Sequence, residues 1–466
     1  MPSNSYDLVI LGGGTGGYSA ALRGAGLGLK VALVEKDKVG GTCLHRGCIP
    51  TKALLHAAEL ADGVREAAER WGMKAAIESI DYSATVANRE DIVSKNFKGL
   101  EAHLKKEKVE TIKGQGRVSG PRQVDVEGAG PITAGRALVL ASGSVPKSIP
   151  GLELDGRRVI SSDDALLLDY LPKSVIVLGA GAVGAEFASF WRSMGADVTI
   201  VEILPGLLPL EDEDLQRELG RAFRRRGIES MVDTKMEDIK VGDDQVTITV
   251  TGKGKTSEIS AELLLVATGR GPVSQDLGYE QIGVRLDRGY VEPANWDTLE
   301  TDTAGVYAVG DLLPPPSLAL AHASFAEGML VAELAAGQES PPIDYMGVPR
   351  VTYSSPEVAS VGLTEKQARE RGHEVVTNRF PFNGVARGLI YGQGGMVKLV
   401  AAKDGPVLGV HLIGARVTEL ISEAMLVYNW EALPAEVAQF IHPHPTLSEA
   451  VGEAFLTLAG RPLHQG

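Results

Sequence analysis

A strand, a glycine-rich turn, a helix and a second strand ending in an acid occur twice in this chain, and the repeat narrows the folds open to it. In the first copy Leu8-Val9-Ile10-Leu11 leads into Gly12-Gly13-Gly14-Thr15-Gly16-Gly17, a helical stretch, and Lys30-Val31-Ala32-Leu33-Val34-Glu35. Within such a GxGxxG turn Gly12 permits the tight bend, Gly14 lets backbone approach a pyrophosphate, and Gly17 brings helix close to strand. The pyrophosphate would rest on the helix N-terminus, where amides and dipole both favour an anion. Glu35 would accept hydrogen bonds from a ribose diol. In the second copy Ser174-Val175-Ile176-Val177-Leu178 leads into Gly179-Ala180-Gly181-Ala182-Val183-Gly184, a helix, and Asp197-Val198-Thr199-Ile200-Val201-Glu202. The acid follows the last glycine by 18 residues in both copies. One such motif is weak in a chain with 56 glycines, but two with equal spacing predict two dinucleotide sites and electron transfer between two cofactors. A carboxylate at Glu202 favours a free 2′-hydroxyl and repels a 2′-phosphate, so the second dinucleotide is expected to be NAD. Arg192, earlier in the second helix, is expected to be a solvated surface residue.

The chain has 466 residues, enough for roughly three domains of about 150 residues each. Its net charge of −14, with no Lys/Arg block, leaves no electrostatic footprint for nucleic acid. No apolar run reaches the eighteen or so residues of a membrane span, and strand-like sequence begins almost at once without a basic leader. A cytoplasmic protein is the expectation.

Both cysteines of the chain fall in Gly40-Gly41-Thr42-Cys43-Leu44-His45-Arg46-Gly47-Cys48-Ile49-Pro50-Thr51-Lys52, ahead of an amphipathic helix expected over 53–70. Two cysteines are too few for a disulfide-stapled secreted scaffold. Two unrelated buried thiols is the plain alternative, but the pair is five residues apart at a helix start. Pro50 suits a first helical turn, and a thiol at that end becomes more acidic and more reactive. Zinc would need further ligands, and there is no second cysteine pair. A redox-active disulfide is the better account.

The third informative stretch is Ile441-His442-Pro443-His444-Pro445-Thr446-Leu447-Ser448-Glu449. The prolines stiffen the backbone and fix where two imidazoles point. A dithiol needs a base, because its thiolate is the nucleophile and histidine titrates in the right range. Thr446-x-x-Glu449 is equally a capping box for a helix over 450–458. The residues alone leave both readings standing.

Taken together these segments resemble the flavin disulfide reductases, the class I pyridine nucleotide-disulfide oxidoreductases, over nearly the whole chain. Within that family the likeness is nearest to members that oxidise dihydrolipoamide. The resemblance implies FAD in the first fold (Gly12, Gly14, Gly17, Glu35) and NAD in the second (Gly179, Gly181, Gly184, Glu202). It makes Cys48 the flavin-proximal, charge-transfer thiol and Cys43 the interchange thiol that meets substrate. Lys52 would lie near the flavin and pair with Glu186, which completes GxGxxGxE. On residues alone a solvated lysine and a helix-surface glutamate would be preferred. Ala141-Ser142-Gly143-Ser144 and Ala267-Thr268-Gly269-Arg270 resemble the strand-end turns of the family, placing Ser142 and Gly143 at FAD and Gly269 at NAD. Asp311, in Thr303-Ala304-Gly305-Val306-Tyr307-Ala308-Val309-Gly310-Asp311, would bind the ribityl chain, and Ala321 and His322, followed by Glu327-Gly328, would lie beside the flavin ring. The HPT-x-x-E signature makes His444 the base and Glu449 its partner, with capping by Thr446 retained as a second role and His442 unassigned. In this family a homodimer delivers the base to the other subunit's disulfide, and the apolar run 407–414 with Leu420 and Ile421 fits such an interface.

The expected fold class is α/β: two Rossmann-like dinucleotide-binding domains and a C-terminal α+β dimerisation domain. The expected layout is FAD-binding over 1–150, NAD-binding over 151–279, a central segment over 280–347 completing the FAD domain, and an interface domain over 348–466. The implied reaction is oxidation of protein-bound dihydrolipoamide by the Cys43–Cys48 disulfide, with electrons passing through FAD to NAD. The implied partners are the lipoyl domains and subunit-binding domain of a dihydrolipoyl acyltransferase core, in 2-oxoacid dehydrogenase or glycine cleavage complexes. The alternative is an NAD(P)H-dependent reductase of another disulfide such as glutathione, which Glu202 opposes. Some positions depart from the family pattern: His45-Arg46 stand where Asn-Val is common, Val273 replaces an Asn, and Pro314-Pro315-Pro316 stiffens the loop after Asp311. The first of these adds basic groups near the disulfide, and is expected to alter thiolate stability or substrate access.

Overall fold

The computed structural model describes residues 4–464 and divides the chain into two compact units. One consists of residues up to Ala53, Ala84–Lys147 and Arg270–Tyr345; the other of Leu54–Ser83, Ser148–Gly269 and the chain from Met346 onward.

The first unit is built on five parallel strands in the spatial order Glu110–Lys113, Val31–Glu35, Ser5–Leu11, Gly130–Leu140 and Val306–Ala308. Leu8, Val9, Ile10, Ala32, Leu33 and Val34 are all essentially buried, the unbroken apolar run of a parallel strand covered on both faces. On the edge away from Ser5–Leu11, the strand Gly130–Leu140 serves two partners. Its beginning pairs antiparallel with Gln123–Val126 of a small meander, and its end pairs parallel with Val306–Ala308. The helices Thr15–Gly26 and Ala321–Ala335 touch through small residues; a Cβ at Gly328 would stand 2.3 Å from the Gly16 carbonyl oxygen. No residue with a side chain fits there.

The second unit repeats the arrangement. Its parallel sheet has the order Ile228–Met231, Asp197–Val201, Ser174–Leu178, Leu263–Val266 and Val159–Ile160. As in the first, the glycine-turn strand is central and the acid strand lies beside it. A three-stranded antiparallel meander, Thr234–Val241, Val246–Gly252 and Lys255–Ala261, precedes the strand Leu263–Val266. The C-terminal part is a five-stranded antiparallel sheet, Arg350–Thr352, Glu357–Gly362, Val407–Gly414, Gly395–Ala402 and Val375–Pro381, with the helices Val417–Asn429 and Ser448–Leu458 packed against its core. The α/β class with an α+β C-terminal portion is therefore the one observed. Among the described residues no helix is long and apolar enough to cross a membrane.

Several local expectations change. The helix expected over 53–70 runs from Cys48 to Arg70, because Thr51 already bonds the Gly47 carbonyl and Pro50 occupies a first-turn position that lacks a partner for its nitrogen. The final helix starts at Ser448 rather than 450. The apolar run 407–414 is a central strand whose Val407, Val410, Leu412 and Ile413 are buried in the sheet's own core, so its apolarity belongs to intrachain packing rather than to an exposed face. Arg192 is half-buried rather than simply solvated: its guanidinium donates to the carbonyls of Arg226 and Ala196 and pairs with Asp197.

Candidate active site and cofactor cradles

The two glycine turns are near copies at atomic detail. A Cβ on Gly12 would meet the Ala141 carbonyl oxygen at 2.2 Å and one on Gly17 the Gly12 carbonyl oxygen at 1.9 Å. In the second fold a Cβ on Gly179 would meet the Ala267 carbonyl oxygen at 2.5 Å and one on Gly184 the Gly179 carbonyl oxygen at 2.0 Å. Gly14 and Gly181 differ: nothing lies within 4 Å of a Cβ placed there. Backbone fills the space over the first and last glycine of each turn, while the middle glycine faces an open cradle. Gly14 and Gly181 also begin the helices Thr15–Gly26 and Ala182–Ser193, and neither helix is capped by a side chain. Uncapped amides over an open glycine suit a pyrophosphate.

The acids occupy equivalent places. Glu35 accepts from the Gly13 amide through Oε2 at 2.7 Å and from the Asp37 amide through Oε1 at 2.7 Å. Glu202 accepts from the Ala180 amide through Oε2 at 2.7 Å and from the Leu204 amide through Oε1 at 2.8 Å. Each carboxylate is thereby fixed in direction, with lone pairs left for a diol. Residues of both cradles fit a dinucleotide.

Cys43 lies on the short helix Gly41–Arg46 and Cys48 opens the helix Cys48–Arg70; both are half-buried. The two thiols are hydrogen-bonded. That bond, reinforced by burial and by the charge of an ionised Cys48, holds Cys43 far above the usual thiol range, while Lys52 acts in the opposite direction. The pair thus resists losing its second proton. Tyr18 stands close by; burial, then Cys43 and Cys48, push its phenol up to about 12, so it stays a donor. His45 and Arg46, the departures from the family pattern beside the disulfide, are engaged by other partners. His45 Nε2 bonds the Val39 carbonyl and its ring meets Phe97 edge-on, while Arg46 is paired with Asp37 at 2.6 Å. Lys52 is the cation that bears on the thiol.

Around the expected ribityl site, Ser144 donates to Asp311, and Arg270 Nε donates to Ser144 Oγ at 2.8 Å. Burial pushes the Asp311 carboxyl up, against the opposing pull of Ser144 and Arg270. Ser142 turns its hydroxyl to the Val273 carbonyl and to Tyr279, leaving Gly143, in the left-handed region at φ 73°, as the open part of that turn. Gly269 is likewise left-handed, at φ 111°, with open space around it. Ala321 and His322 form the first turn of the helix Ala321–Ala335. On that helix Glu327 is wholly buried and accepts three bonds: Gly310 N at 2.6 Å, Ser317 Oγ at 2.9 Å and Tyr345 Oη at 2.9 Å. It braces the turn that carries Asp311. Glu186 is also buried, and accepts from the Tyr353 amide at 3.0 Å, so it is not a helix-surface glutamate.

At the C-terminus His444 Nδ1 lies 2.8 Å from Glu449 Oε1, and Glu449 Oε2 accepts from the Thr446 amide at 2.8 Å. Burial works to raise the Glu449 carboxyl, but the Thr446 amide and His444 bring it below the usual range. Only half of the capping box forms. The Thr446 hydroxyl donates to the Pro443 carbonyl at 2.6 Å instead of capping the helix. His442 Nε2 pairs with Glu423 at 2.7 Å, a partner that no local sequence signal pointed to. Arg270 and Tyr279 were equally invisible as site supports, since each acts on a residue more than a hundred positions away in the chain.

Residues 6–328 match the pyridine nucleotide-disulphide oxidoreductase family, and residues 348–455 match the dimerisation domain of that family. The chain belongs to this family. It is 40% identical to the dihydrolipoyl dehydrogenase of Bacillus subtilis, over 99% of this chain and 100% of that protein. It is 37% identical to the mitochondrial dihydrolipoyl dehydrogenase of Pisum sativum, over 99% of this chain and 93% of the relative. Among solved structures it is similar to LpdA from Mycobacterium tuberculosis, with a TM-score of 0.87 and 26% identity over 98% of this chain and 100% of that one. As a pyridine nucleotide-disulphide oxidoreductase the chain is a flavoprotein enzyme that uses FAD and NAD and acts on sulfur groups.

Proposed function

We propose that this oxidoreductase oxidises protein-bound dihydrolipoamide to lipoamide, as a homodimer serving an acyltransferase core through its lipoyl and subunit-binding domains. The observation that carries the reading is the His444–Glu449 pair, because the two nucleotide cradles alone would serve other flavoproteins equally well. The Glu449 carboxylate fixes the His444 ring through Nδ1 at 2.8 Å, so Nε2 is the nitrogen that takes a proton, and the side chain is 74% exposed. His444 removes a proton from one substrate thiol, and the thiolate attacks Cys43 Sγ. The Cys43–Cys48 bond breaks and Cys48 leaves as a thiolate, which Lys52 helps to stabilise. The second substrate thiol then displaces Cys43 and its proton passes to the departing Cys43 sulfur, while His444 keeps the first proton. The substrate ends as a disulfide and the cysteine pair as a reduced pair with one shared proton. Bound FAD supplies a two-electron acceptor for that pair and a hydride donor to NAD.

In this reading Gly12, Gly14, Gly17, Glu35, Lys52, Ser142, Gly143, Asp311, Ala321 and His322 hold FAD. Gly179, Gly181, Gly184, Glu186, Glu202 and Gly269 hold NAD. The four-part division at 150, 279 and 347 stands as our domain reading, supported by the return of Val306–Ala308 to the first sheet and by the separate C-terminal sheet. Leu426, Trp430, Phe440 and Ile441 remain exposed in the single chain, and they suit a face covered by a second copy. A cytoplasmic location is our reading, favoured by a cysteine count too small for a disulfide-stapled secreted scaffold.

The test is anaerobic reduction with dihydrolipoamide while the flavin spectrum is followed, then separate additions of NAD and NADP. A long-wavelength band followed by reoxidation with NAD alone supports the assignment. A flavin that stays oxidised with dihydrolipoamide but is reduced by NADPH would shift the reading to another disulfide, such as glutathione.

A further inference from the structure

The segment that carries His444 contains a second histidine with a more demanding fit. His442 Nε2 lies 2.7 Å from Glu423 Oε1 of the helix Val417–Asn429, and its imidazole is 12% exposed against 74% for His444. On its other side it rests on Gly452 of the helix Ser448–Leu458, where a Cβ would stand 2.4 Å from His442 Nδ1. The ring therefore fills a slot between two helices that exists because residue 452 has no side chain. We propose that His442, anchored by Glu423 and seated on Gly452, is a positioning residue that sets the register in which His444 meets Glu449. The inference rests on the assignment of His444 as the base.

The geometry is a matched pair of spacings. Glu449 and Gly452 are three residues apart on one helix and so share a face. His442 and His444 are two apart in a run stiffened by Pro443 and Pro445, so the seat of one imidazole constrains where the other can reach. His442 on Gly452 and His444 on Glu449 are thus two contacts of a single alignment. A slip by one residue would present a proline to Glu449, and the base would lose its orienting partner. An exposed imidazole held by one hydrogen bond cannot fix its own backbone; a buried neighbour two residues away can. The groups that act on His442 are Glu423 from one helix, Glu449 from the other and the backbone at Phe440, so its charge also bears on the Glu449 carboxylate. His464, bonded to Glu453 at 2.8 Å, adds a further positive charge felt by Glu449 when protonated.

The experiment uses the full dimeric holoenzyme with His442→Ala, Gly452→Ala and, as reference, His444→Gln. Turnover of dihydrolipoamide with NAD is compared with reduction of ferricyanide by NADH, which needs the flavin but no thiol base. The expected result is a loss on the order of tenfold in the dithiol reaction for His442→Ala and Gly452→Ala, with ferricyanide reduction within about twofold of the parent. Alanine is the better helix former, so loss in Gly452→Ala would not come from a loosened helix. Unchanged dithiol turnover in both variants, or equal losses in the two assays, overturns the proposal. Undiminished dithiol turnover in His444→Gln would instead remove the base assignment itself, and the two failures are told apart by that variant.

Discussion

The Ala180 amide donates to Glu202 Oε2 at 2.7 Å, and the Gly13 amide donates to Glu35 Oε2 at the same distance. Each acid is tied to the second residue of its own glycine turn, so the proposed ribose and pyrophosphate contacts lie in one rigid piece. Removing one carboxylate should affect one cofactor. Glu202→Ala is expected to raise KM for NAD by roughly ten- to a hundredfold, the loss of charge-assisted bonds worth about 1.5–3 kcal/mol, with FAD content unchanged. Steady-state kinetics beside flavin absorbance checks it, and loss of flavin in that variant would contradict it.

Gly14 and Gly17 should fail in different ways. Space is open over Gly14, whose φ of −69° any residue adopts, whereas a Cβ on Gly17 would collide with the Gly12 carbonyl at 1.9 Å. Gly14→Ala is expected to leave apoprotein stability within about 1 kcal/mol but to weaken FAD binding by an order of magnitude or more. Gly17→Ala should destabilise the apoprotein itself. Urea melts of flavin-free protein and flavin titration separate the two effects.

Glu327 is expected to be a stability residue as well as a brace. Glu327→Leu leaves the Gly310 amide and the Ser317 and Tyr345 hydroxyls without this acceptor, at a cost of about 1–3 kcal/mol for each group left unsatisfied. Glu327→Gln keeps acceptor capacity and should lose less. Denaturation midpoints give the ranking, and equal midpoints for the two variants would contradict it.

The cysteine pair offers a test in the reduced apoprotein. Cys43 is held up first by its bond to Cys48 and then by burial. Cys48→Ala removes that bond and the like charge, so alkylation of Cys43 near pH 8 should accelerate several-fold. Arg46→Val should leave the rate as it is, since Arg46 is engaged by Asp37.

The pH dependence of stability has a definite sign at His442. The bond to Glu423 raises its imidazolium range, against burial that lowers it. A raised histidine stabilises the fold fully below its ordinary value near 6.5, and that contribution fades as pH climbs through the raised value. The stability gap between the parent and Glu423→Gln is therefore expected to be largest between about pH 5 and 6.5 and to shrink above. Its size should be about 1 kcal/mol or less after solvent screening. A gap that widens with rising pH would contradict the pairing.

The chain announced its cofactor cradles, its cysteine pair and the His444–Glu449 couple in the sequence, because each is a local device. A glycine turn, two thiols five residues apart and a histidine five residues from its acid sit within one short stretch, where backbone geometry alone brings them together. What tertiary structure decided is carried by cross-strand register. Arg350, Ser360, His411, Lys398 and Arg379 are successive partners across all five strands of the C-terminal sheet. That row meets an acidic turn far away in sequence: Arg350 and Ser360 bond Glu211, Lys398 pairs with Asp212 at 2.8 Å and Asp214 at 2.7 Å, and Arg379 pairs with Asp214 at 2.7 Å. Lys398 is almost wholly buried, and no local pattern foretold that a lysine would sit there. The same holds for Glu423 beneath His442 and Tyr345 beneath Glu327. A buried charge is tolerable only where its counter-charges arrive from elsewhere in the chain. Which residues arrive depends on strand pairing and helix packing, which the spacing of residues along a sequence does not encode.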